Sequence, residues 1–327
     1  MKFPLRRERY IPGKKNESKR NISKGNPRIF GAYDGRKQMN DYKRKKYKGA
    51  KKKITAAIAA ACAFFFAAAA FGGCEKKDTS EGEANNLPVL RIASDEYSPY
   101  FYFGETGDFE GIDVELATEA CRRMGYKPQF MKILWSNKDA ILNEGEADLL
   151  WGCFSMTGRE DRYEWAGPYM NSRQVVVVKQ SSEIQTLADL YDKRIGVQMT
   201  TKPDEIFSAG ATDKIPEIRD LYCFSQMDYT FAALRKGYVD AIAGHETAVM
   251  NFIGNAATKY RVLDEPLMKV QLGAAAKKDS PEGKALAGKL TKTFEEMGKD
   301  GFTAKVLTKY GLDAEKALEG ISDGGDE

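Results

Sequence analysis

One stretch of this sequence occurs twice, and the repetition constrains the fold more than any other feature. Residues 140–152 resemble residues 232–244, at an offset of 92 positions. Each copy reads as the last turns of a helix, a glycine where that helix stops, and a short apolar strand. Gly145 and Gly237 suit the stop because glycine tolerates the left-handed backbone that ends many helices. The chain is therefore predicted to contain two similar halves.

Signals for strands and helices alternate around the repeated segment. Residues 90–93 and 193–196 both read as opening strands, and residues 175–178 are four valines suited to a buried strand. Leu116 and Met124 belong to a helical stripe between such strands. This alternation predicts α/β layers with parallel sheets, and two small halves predict two α/β lobes.

The second lobe is predicted to interrupt the first, so that the chain crosses between the lobes twice. The two crossings, which would form a hinge, are expected near residues 178–182 and 267–271. The predicted segments are a basic extension and signal peptide (1–73), a lipidated cysteine and flexible tether (74–87), the first part of lobe 1 (88–178), lobe 2 (179–268), the return to lobe 1 (269–314) and an acidic flexible tail (315–327).

The N-terminal region has the features of a secretory signal. A basic stretch at residues 43–53 precedes an uncharged run at residues 54–73, and Cys74 follows directly. The junction at residues 71–74 resembles a lipobox, in which lipid is attached to the cysteine and cleavage makes it the new N-terminus. We therefore expect the chain to be lipid-anchored to the cell membrane on its extracytoplasmic face. The alternative is an uncleaved membrane-spanning helix, since about 20 apolar residues can cross a bilayer.

Basic residues are concentrated in the segment that we expect to be removed. Residues 1–53 hold 20 of the 51 Lys and Arg residues but only 4 of the 47 Asp and Glu residues. The rest of the chain therefore has an excess of acidic residues. This argues against nucleic-acid binding, because that function requires a basic surface on the folded part of the protein.

Polar side chains follow both copies of the repeated strand. Ser155, Thr157 and Arg159 come after the first copy, and His245 and Glu246 come after the second. In open α/β sheets, ligands bind beyond the carboxyl ends of the strands. One lobe thus offers hydroxyls and a guanidinium, and the other offers a carboxylate and the only histidine of the chain. This polarity suits a small zwitterion held between the lobes.

Three short segments are informative when they are taken together. Residues 111–117 read Gly-Ile-Asp-Val-Glu-Leu-Ala, residues 155–159 read Ser-Met-Thr-Gly-Arg, and residues 165–169 read Trp-Ala-Gly-Pro-Tyr. Together they resemble the bacterial extracellular solute-binding proteins of family 3, over nearly all of the chain after the tether. The resemblance implies a two-lobed periplasmic-binding-protein-like (type II) fold. It also implies capture of an amino acid or similar solute by lobe closure, and delivery to the permease of an ABC importer.

The resemblance assigns roles to four polar positions in the cleft. Its arginine, here Arg159, binds both oxygens of the ligand carboxylate, for which a planar, permanently charged guanidinium is suited. We choose it over Arg162, and a solvated surface arginine stays the alternative. Ser155 and Thr157 would donate hydroxyl hydrogen bonds or cap the following turn. Thr201 would contact the same carboxylate from the second lobe.

The remaining ligand positions are two aromatic walls and the ammonium site. Tyr97 and Trp135 match the aromatic walls on either side of the ligand, with ordinary packing as the alternative. Where the family places an aspartate for the ligand ammonium, this chain has His245, with Glu246 next. We assign the ammonium to Glu246 and leave His245 as a wall or side-chain contact.

Motifs of several enzyme classes are absent from the sequence. It has no Walker-type loop, no G-x-S-x-G elbow and no paired-histidine metal spacing, so we expect no cofactor, metal site or catalytic residue. We expect a monomeric binding protein. One alternative is an enzyme resembling cyclohexadienyl or arogenate dehydratases, with Glu246 as the acid, and another is a ligand-sensing receptor module. Cys121 falls on an apolar helix face, which favours a buried free thiol.

Overall fold

The computed structural model describes residues 5–6 and 87–321; the signal region, Cys74 and most of the tether lie outside the described residues. The strands are β1 Leu5–Arg6, β2 Val89–Ser94, β3 Tyr102–Phe103, β4 Phe109–Glu110, β5 Lys127–Lys132, β6 Leu149–Leu150, β7 Glu164–Lys179, β8 Arg194–Gln198, β9 Asp220–Phe224, β10 Ala241–His245, β11 Tyr260–Val262 and β12 Met268–Ala276. The helices are α1 Ile112–Met124, α2 Lys138–Asn143, α3 Lys202–Ser208, α4 Met227–Lys236, α5 Glu246–Ile253, α6 Pro281–Lys299, α7 Phe302–Lys309 and α8 Ala314–Leu318. Short 3-10 helices occupy Trp135–Asn137, Ala188–Leu190 and Gly254–Lys259.

A mixed sheet connects the two lobes. Its strand order is β1-β9-β8-β10-β7-β12-β6-β2-β5, with β11 paired to β7, while β3 and β4 form a separate pair. β2 pairs in parallel with β5 and β6 in lobe 1, and β8 pairs in parallel with β9 and β10 in lobe 2. β7 and β12 pair with each other in antiparallel orientation and carry the chain between the lobes. The predicted two-lobed α/β fold with two crossings is confirmed.

The repeated segment occupies equivalent places in the two lobes. In lobe 1, the backbone N–H of Arg91 on β2 donates to Asp148 Oδ2 at 2.8 Å, and the Arg91 guanidinium donates to Oδ1 at 2.6 Å. In lobe 2, Arg194 on β8 makes the same two bonds to Asp240, at 2.9 and 2.6 Å. Each aspartate directly precedes the strand of the repeat, so each arginine fixes that strand beside the opening strand of its lobe.

Both predicted glycine stops have the left-handed backbone that they were expected to supply. Gly145 has φ 72° and Gly237 has φ 75°. Gly237 donates its N–H to the carbonyl of Leu234 at 3.1 Å, which satisfies one of the unpaired carbonyls at the end of α4. A residue with a side chain would be strained in this conformation.

The helices of lobe 1 pack their apolar faces on the sheet. The buried face of α1 includes Leu116, Cys121 and Met124, and that of α6 includes Phe294 and Met297. Burial raises the pKa of the Cys121 thiol to about 12, so this cysteine is a core residue, as expected. Within residues 87–321, no helix has the length and apolar character needed to cross a bilayer.

Two predicted boundaries are corrected by the structure. Residues 175–178 already pair with β10 of lobe 2, so the chain leaves lobe 1 before the crossing predicted at 178–182. The reason is that one continuous strand, β7, serves both lobes. The predicted flexible tail also begins too early at residue 315. Ala317 of α8 is buried, and Asp313 caps that helix by accepting the backbone N–H of Lys316 at 3.1 Å.

Candidate functional site

A cavity lies between the lobes, beyond the carboxyl ends of their parallel strands. Lobe 1 lines it with Asp95 after β2, Tyr97, Trp135, and Ser155 and Arg159 after β6. Lobe 2 contributes Gln198 at the end of β8, Thr201, Lys202, Met227 and His245 at the end of β10, and Gln174 enters from β7. Six of the eight predicted ligand residues are therefore brought together: Tyr97, Trp135, Ser155, Arg159, Thr201 and His245. Their contacts with a ligand stay predictions.

Thr157 and Glu246 do not line this cavity. Thr157 Oγ1 accepts the backbone N–H of Gln271 on β12 at 2.9 Å, so this hydroxyl holds the crossing strand. Glu246 is the first residue of α5, and its carboxylate accepts hydrogen bonds from the Arg173 guanidinium on β7, with Nε to Oε2 at 2.7 Å. The assignment of the ligand ammonium to Glu246 is therefore corrected.

The Arg159 guanidinium lies inside the cleft with donors to spare. Only 2% of the residue is exposed. Its Nε donates to Oε1 of Glu205 at 2.9 Å, and Nη2 is 2.9 Å from the same oxygen. The hydrogen bonds of the terminal nitrogens are both long, 3.4 Å from Nη1 to the Ser155 carbonyl and 3.4 Å from Nη2 to the Thr200 carbonyl. A ligand carboxylate would supply a close acceptor for Nη1, whose hydrogen bond to the Ser155 carbonyl is long.

His245 is held in its neutral form. Its Nε2 is 2.8 Å from Nε2 of Gln174 and 3.3 Å from Oγ of Ser155, and its Nδ1 is 3.1 Å from Oγ of Ser172. Burial, with the positive charge of Arg159 as the second cause, lowers the pKa of the imidazole to about 3. At neutral pH this side chain is therefore an uncharged hydrogen-bonding wall.

Asp95 is the cleft carboxylate that sequence reasoning missed. It follows β2 directly, is 6% exposed, and accepts a hydrogen bond from Gln198 Nε2 across the cleft at 2.5 Å. Burial raises the pKa of the carboxyl to about 6, although the Gln198 hydrogen bond and the charge of Lys138 act in the opposite direction. Its position after a parallel strand was a usable signal, because the carboxyl ends of such strands face the ligand.

Two amide oxygens add unused acceptors to the cavity. Within the part of the chain that the structure describes, the buried Oε1 atoms of Gln174 and Gln198 have no hydrogen-bond partner. A buried acceptor without a donor costs about 1–3 kcal/mol. Together with the Asp95 carboxylate, these oxygens form a group of acceptors that a ligand ammonium, with its three donors, can satisfy.

Asp113, from the segment at residues 111–117, positions the loop that carries the polar residues of lobe 1. Its Oδ2 accepts the backbone N–H of Cys153 at 2.6 Å. The carboxyl is buried, and burial raises its pKa to about 7. This bond fixes the chain just before Ser155, so the aspartate of that segment acts on the site through the backbone.

Comparison with known proteins places the chain in a family. The family model for bacterial extracellular solute-binding proteins, family 3, matches residues 90–313. The chain belongs to this family. One relative, the L-cystine-binding protein TcyA of Bacillus subtilis (strain 168), is 27% identical over 233 residues, which cover 70% of this chain and 83% of the relative. A probable histidine-binding protein of Neisseria gonorrhoeae is 27% identical over 250 residues, covering 75% of this chain and 92% of the relative.

A solved structure supports the type II fold of this family 3 protein. An ancestral arginine-binding protein bound to arginine has a TM-score of 0.61 and 25% sequence identity, and the match covers 68% of this chain and 97% of that protein. The two residues predicted as aromatic walls, Tyr97 and Trp135, are both buried. Trp135 is 4% exposed and packs edge-on against Phe154 at 4.8 Å between ring centroids. The Tyr97 hydroxyl accepts the backbone N–H of His245 at 3.2 Å.

Proposed function

We propose that this family 3 protein is the substrate-binding lipoprotein of an ABC importer and captures an amino acid or a closely related solute. One observation carries the proposal. The cavity is lined by Arg159, whose Nη1 has only a long hydrogen bond to the Ser155 carbonyl, by the Asp95 carboxylate, and by Gln174 and Gln198, whose Oε1 atoms have no hydrogen-bond partner in the described part of the chain. A solute with a carboxylate and an ammonium satisfies this donor and these acceptors, and each buried polar atom that gains a partner favours binding.

Contacts across the cleft support a mechanism of lobe closure. Asp95 of lobe 1 pairs with Gln198 of lobe 2, and the Tyr97 hydroxyl pairs with the backbone of His245. We infer that these bonds form when the lobes close and that the ligand adds its own bonds to both sides. A ligand that contacts both lobes favours the closed state over the open one, and the closed state is the form that a permease would receive.

The contacts of His245 favour binding over catalysis. Ser155 and His245 could be a nucleophile and its base, since their Oγ and Nε2 atoms are 3.3 Å apart. However, Nδ1 faces the hydroxyl of Ser172 rather than a carboxylate, and a histidine with a pKa of about 3 is a weak base at neutral pH. The curated relatives named above are binding proteins as well. We therefore propose that the protein makes and breaks no bond.

A thermal-shift screen tests the proposed function. The full-length chain in detergent is mixed with each of the common amino acids at about 1 mM, and its melting temperature is measured. A ligand present at about 100 times its Kd stabilises the folded state by roughly 2.7 kcal/mol, so a true ligand should raise the melting temperature by several degrees. If no amino acid or close analogue raises it, the proposed function is wrong.

Anchoring through Cys74 remains a proposal that rests on the sequence. Replacing Cys74 with serine removes the thiol that would carry the lipid, so the variant should move from the membrane fraction to the soluble fraction after export. Replacing Cys62, inside the apolar run, with serine is the matched control and should leave the protein in the membrane fraction. Equal membrane retention of both variants would favour the uncleaved membrane-spanning helix.

A further inference from the structure

Cationic side chains gather at the Arg159 end of the cleft. Arg159, Arg162 and Lys202 all contact the carboxylate of Glu205, at distances of 2.7–2.9 Å. Burial would raise the pKa of this carboxyl, but the bonds from Arg159 and Lys202 hold it at about 2. One permanently ionised carboxylate is thus the shared ion-pair partner of three cations.

Lys138 is a fourth cation in this group, and its ion pair is a long one. It is 1% exposed, and its Nζ donates to the Thr200 carbonyl at 3.4 Å, the oxygen that Arg159 Nη2 also contacts at 3.4 Å. Its nearest ion-pair partner in the described part of the chain is Asp139, at 3.8 Å. That carboxylate is half exposed and already accepts the Tyr163 hydroxyl. Two buried cations therefore share one neutral oxygen across the cleft.

The other carboxylates near this group are engaged elsewhere. Asp204 accepts the backbone N–H of Thr200 at 2.7 Å and the Ser208 hydroxyl at 3.1 Å. Glu160 is exposed and accepts the backbone N–H of Gly158 at 2.9 Å. Buried cations are costly unless an anion lies close to them. Burial lowers the pKa of Lys138 to about 8, although the charge of Asp139 acts in the opposite direction.

The ligand carboxylate assigned to Arg159 does not by itself explain why the positive charge of Lys138 lies at this end of the cleft. The Lys138 ammonium lies over the ring of Trp135, 5.3 Å from its centroid, and Trp135 lines the cavity. Lys202 lines the cavity directly. His245 is neutral, so Asp95 is the carboxylate left for an ammonium among the lining residues of the cavity.

We propose that the ligand is an acidic amino acid or a related solute with two acidic groups and one ammonium, hence a net negative charge. One acidic group binds Arg159, the second lies by Lys138 and Lys202, and the ammonium binds Asp95. This proposal rests on the proposed function and narrows it to one charge class. A neutral or cationic amino acid would leave Lys138 with the half-exposed Asp139, 3.8 Å away, as its ion-pair partner.

Calorimetric titration of the full-length chain in detergent with matched ligands tests this. L-Glutamate and L-glutamine differ by one charge at nearly equal size, and L-aspartate and L-asparagine form a second pair. The acidic member of at least one pair should bind at least tenfold more tightly than its amide, because charge-assisted hydrogen bonds are stronger than neutral ones. Lys138→Met should reduce that ratio at least tenfold while leaving the affinity for the amide within about threefold.

Two further variants complete this test, one as a control and one as a replacement for Lys138→Met. Lys127→Met removes an exposed lysine of the same lobe and should leave the ratio unchanged. If Lys138→Met does not fold, Lys202→Met is titrated instead, with the same expected loss of the acidic preference. Tighter binding of the amides, or of a neutral or cationic amino acid, would overturn this proposal and leave the proposed function intact. If no amino acid or dicarboxylic analogue binds, both proposals fail.

Discussion

Replacing Arg159 with alanine is expected to weaken binding of the amino-acid ligand by roughly 100-fold or more. The guanidinium is almost fully buried in the cleft, and its Nη1 has only a long hydrogen bond to the Ser155 carbonyl. Removing one partner of a buried, hydrogen-bonded charge pair costs about 2–5 kcal/mol, and each 1.4 kcal/mol is a tenfold change in affinity. Calorimetric titration of the purified variant measures the loss.

Arg162→Ala is the matched control for this prediction. Its side chain is 45% exposed and shares the Glu205 carboxylate with Arg159, so its removal should change the affinity by less than about threefold. Arg159→Lys should bind with intermediate affinity, because lysine keeps the charge but not the two-pronged geometry. If Arg162→Ala loses the ligand while Arg159→Ala keeps it, the carboxylate site has been assigned to the wrong arginine.

Replacing Asp95 with asparagine is expected to stabilise the ligand-free protein at neutral pH while weakening ligand binding. In the folded protein the pKa of Asp95 is about 6, against an ordinary value of 3.8. The unfolded chain therefore releases this proton at lower pH, so the wild-type protein loses stability as the pH rises from about 4 to about 6. The difference corresponds to about 3 kcal/mol in the free energy of unfolding, and asparagine removes it.

Urea denaturation of both proteins between pH 4 and pH 8 checks this. The stability of Asp95→Asn relative to wild type should grow by roughly 3 kcal/mol between pH 4 and pH 7 and then stay constant. Asp113, whose pKa is also raised, is present in both proteins and cancels in the comparison. Asp213→Asn, at an exposed position, is the control for an Asp-to-Asn change. A difference that does not change with pH would mean that Asp95 is not buried in this way.

The repeated segment was the part of the fold that the sequence could predict best. Its glycine stops and its alternating signals depend on local backbone preference and periodicity, which a sequence displays directly. The bonds of Arg91 to Asp148 and of Arg194 to Asp240 show why both copies keep the same residue types at the strand starts. The first crossing was misplaced because four valines indicate a buried strand without telling which lobe buries it.

The site was predictable where it depends on the ends of strands and less so elsewhere. Arg159 and His245 follow repeated strands, and the structure places both in the cavity. The assignment of the ligand ammonium to Glu246 was wrong. The strand ends at His245, and the first turn of α5 directs the side chain of the next residue to Arg173. That contact involves β7, which lies 73 positions away in sequence, so no local pattern reveals it.

Gln174 and Lys138 were missed for a related reason. Gln174 enters the cavity from the crossing strand, and Lys138 reaches the Thr200 carbonyl only when the two lobes face each other. Neither residue belongs to a motif, and both act through contacts between lobes that tertiary structure alone creates. Asp95 differs from them, because its place after β2 follows the same strand-end rule that led to Arg159.

A crystal structure of the ligand-bound protein tests the central claim most directly. We expect the ligand between the lobes, with a carboxylate within about 3 Å of the terminal nitrogens of Arg159 and an ammonium within about 3 Å of the Asp95 carboxylate. A ligand bound outside this cleft, or bound inside it with neither contact, would contradict the account.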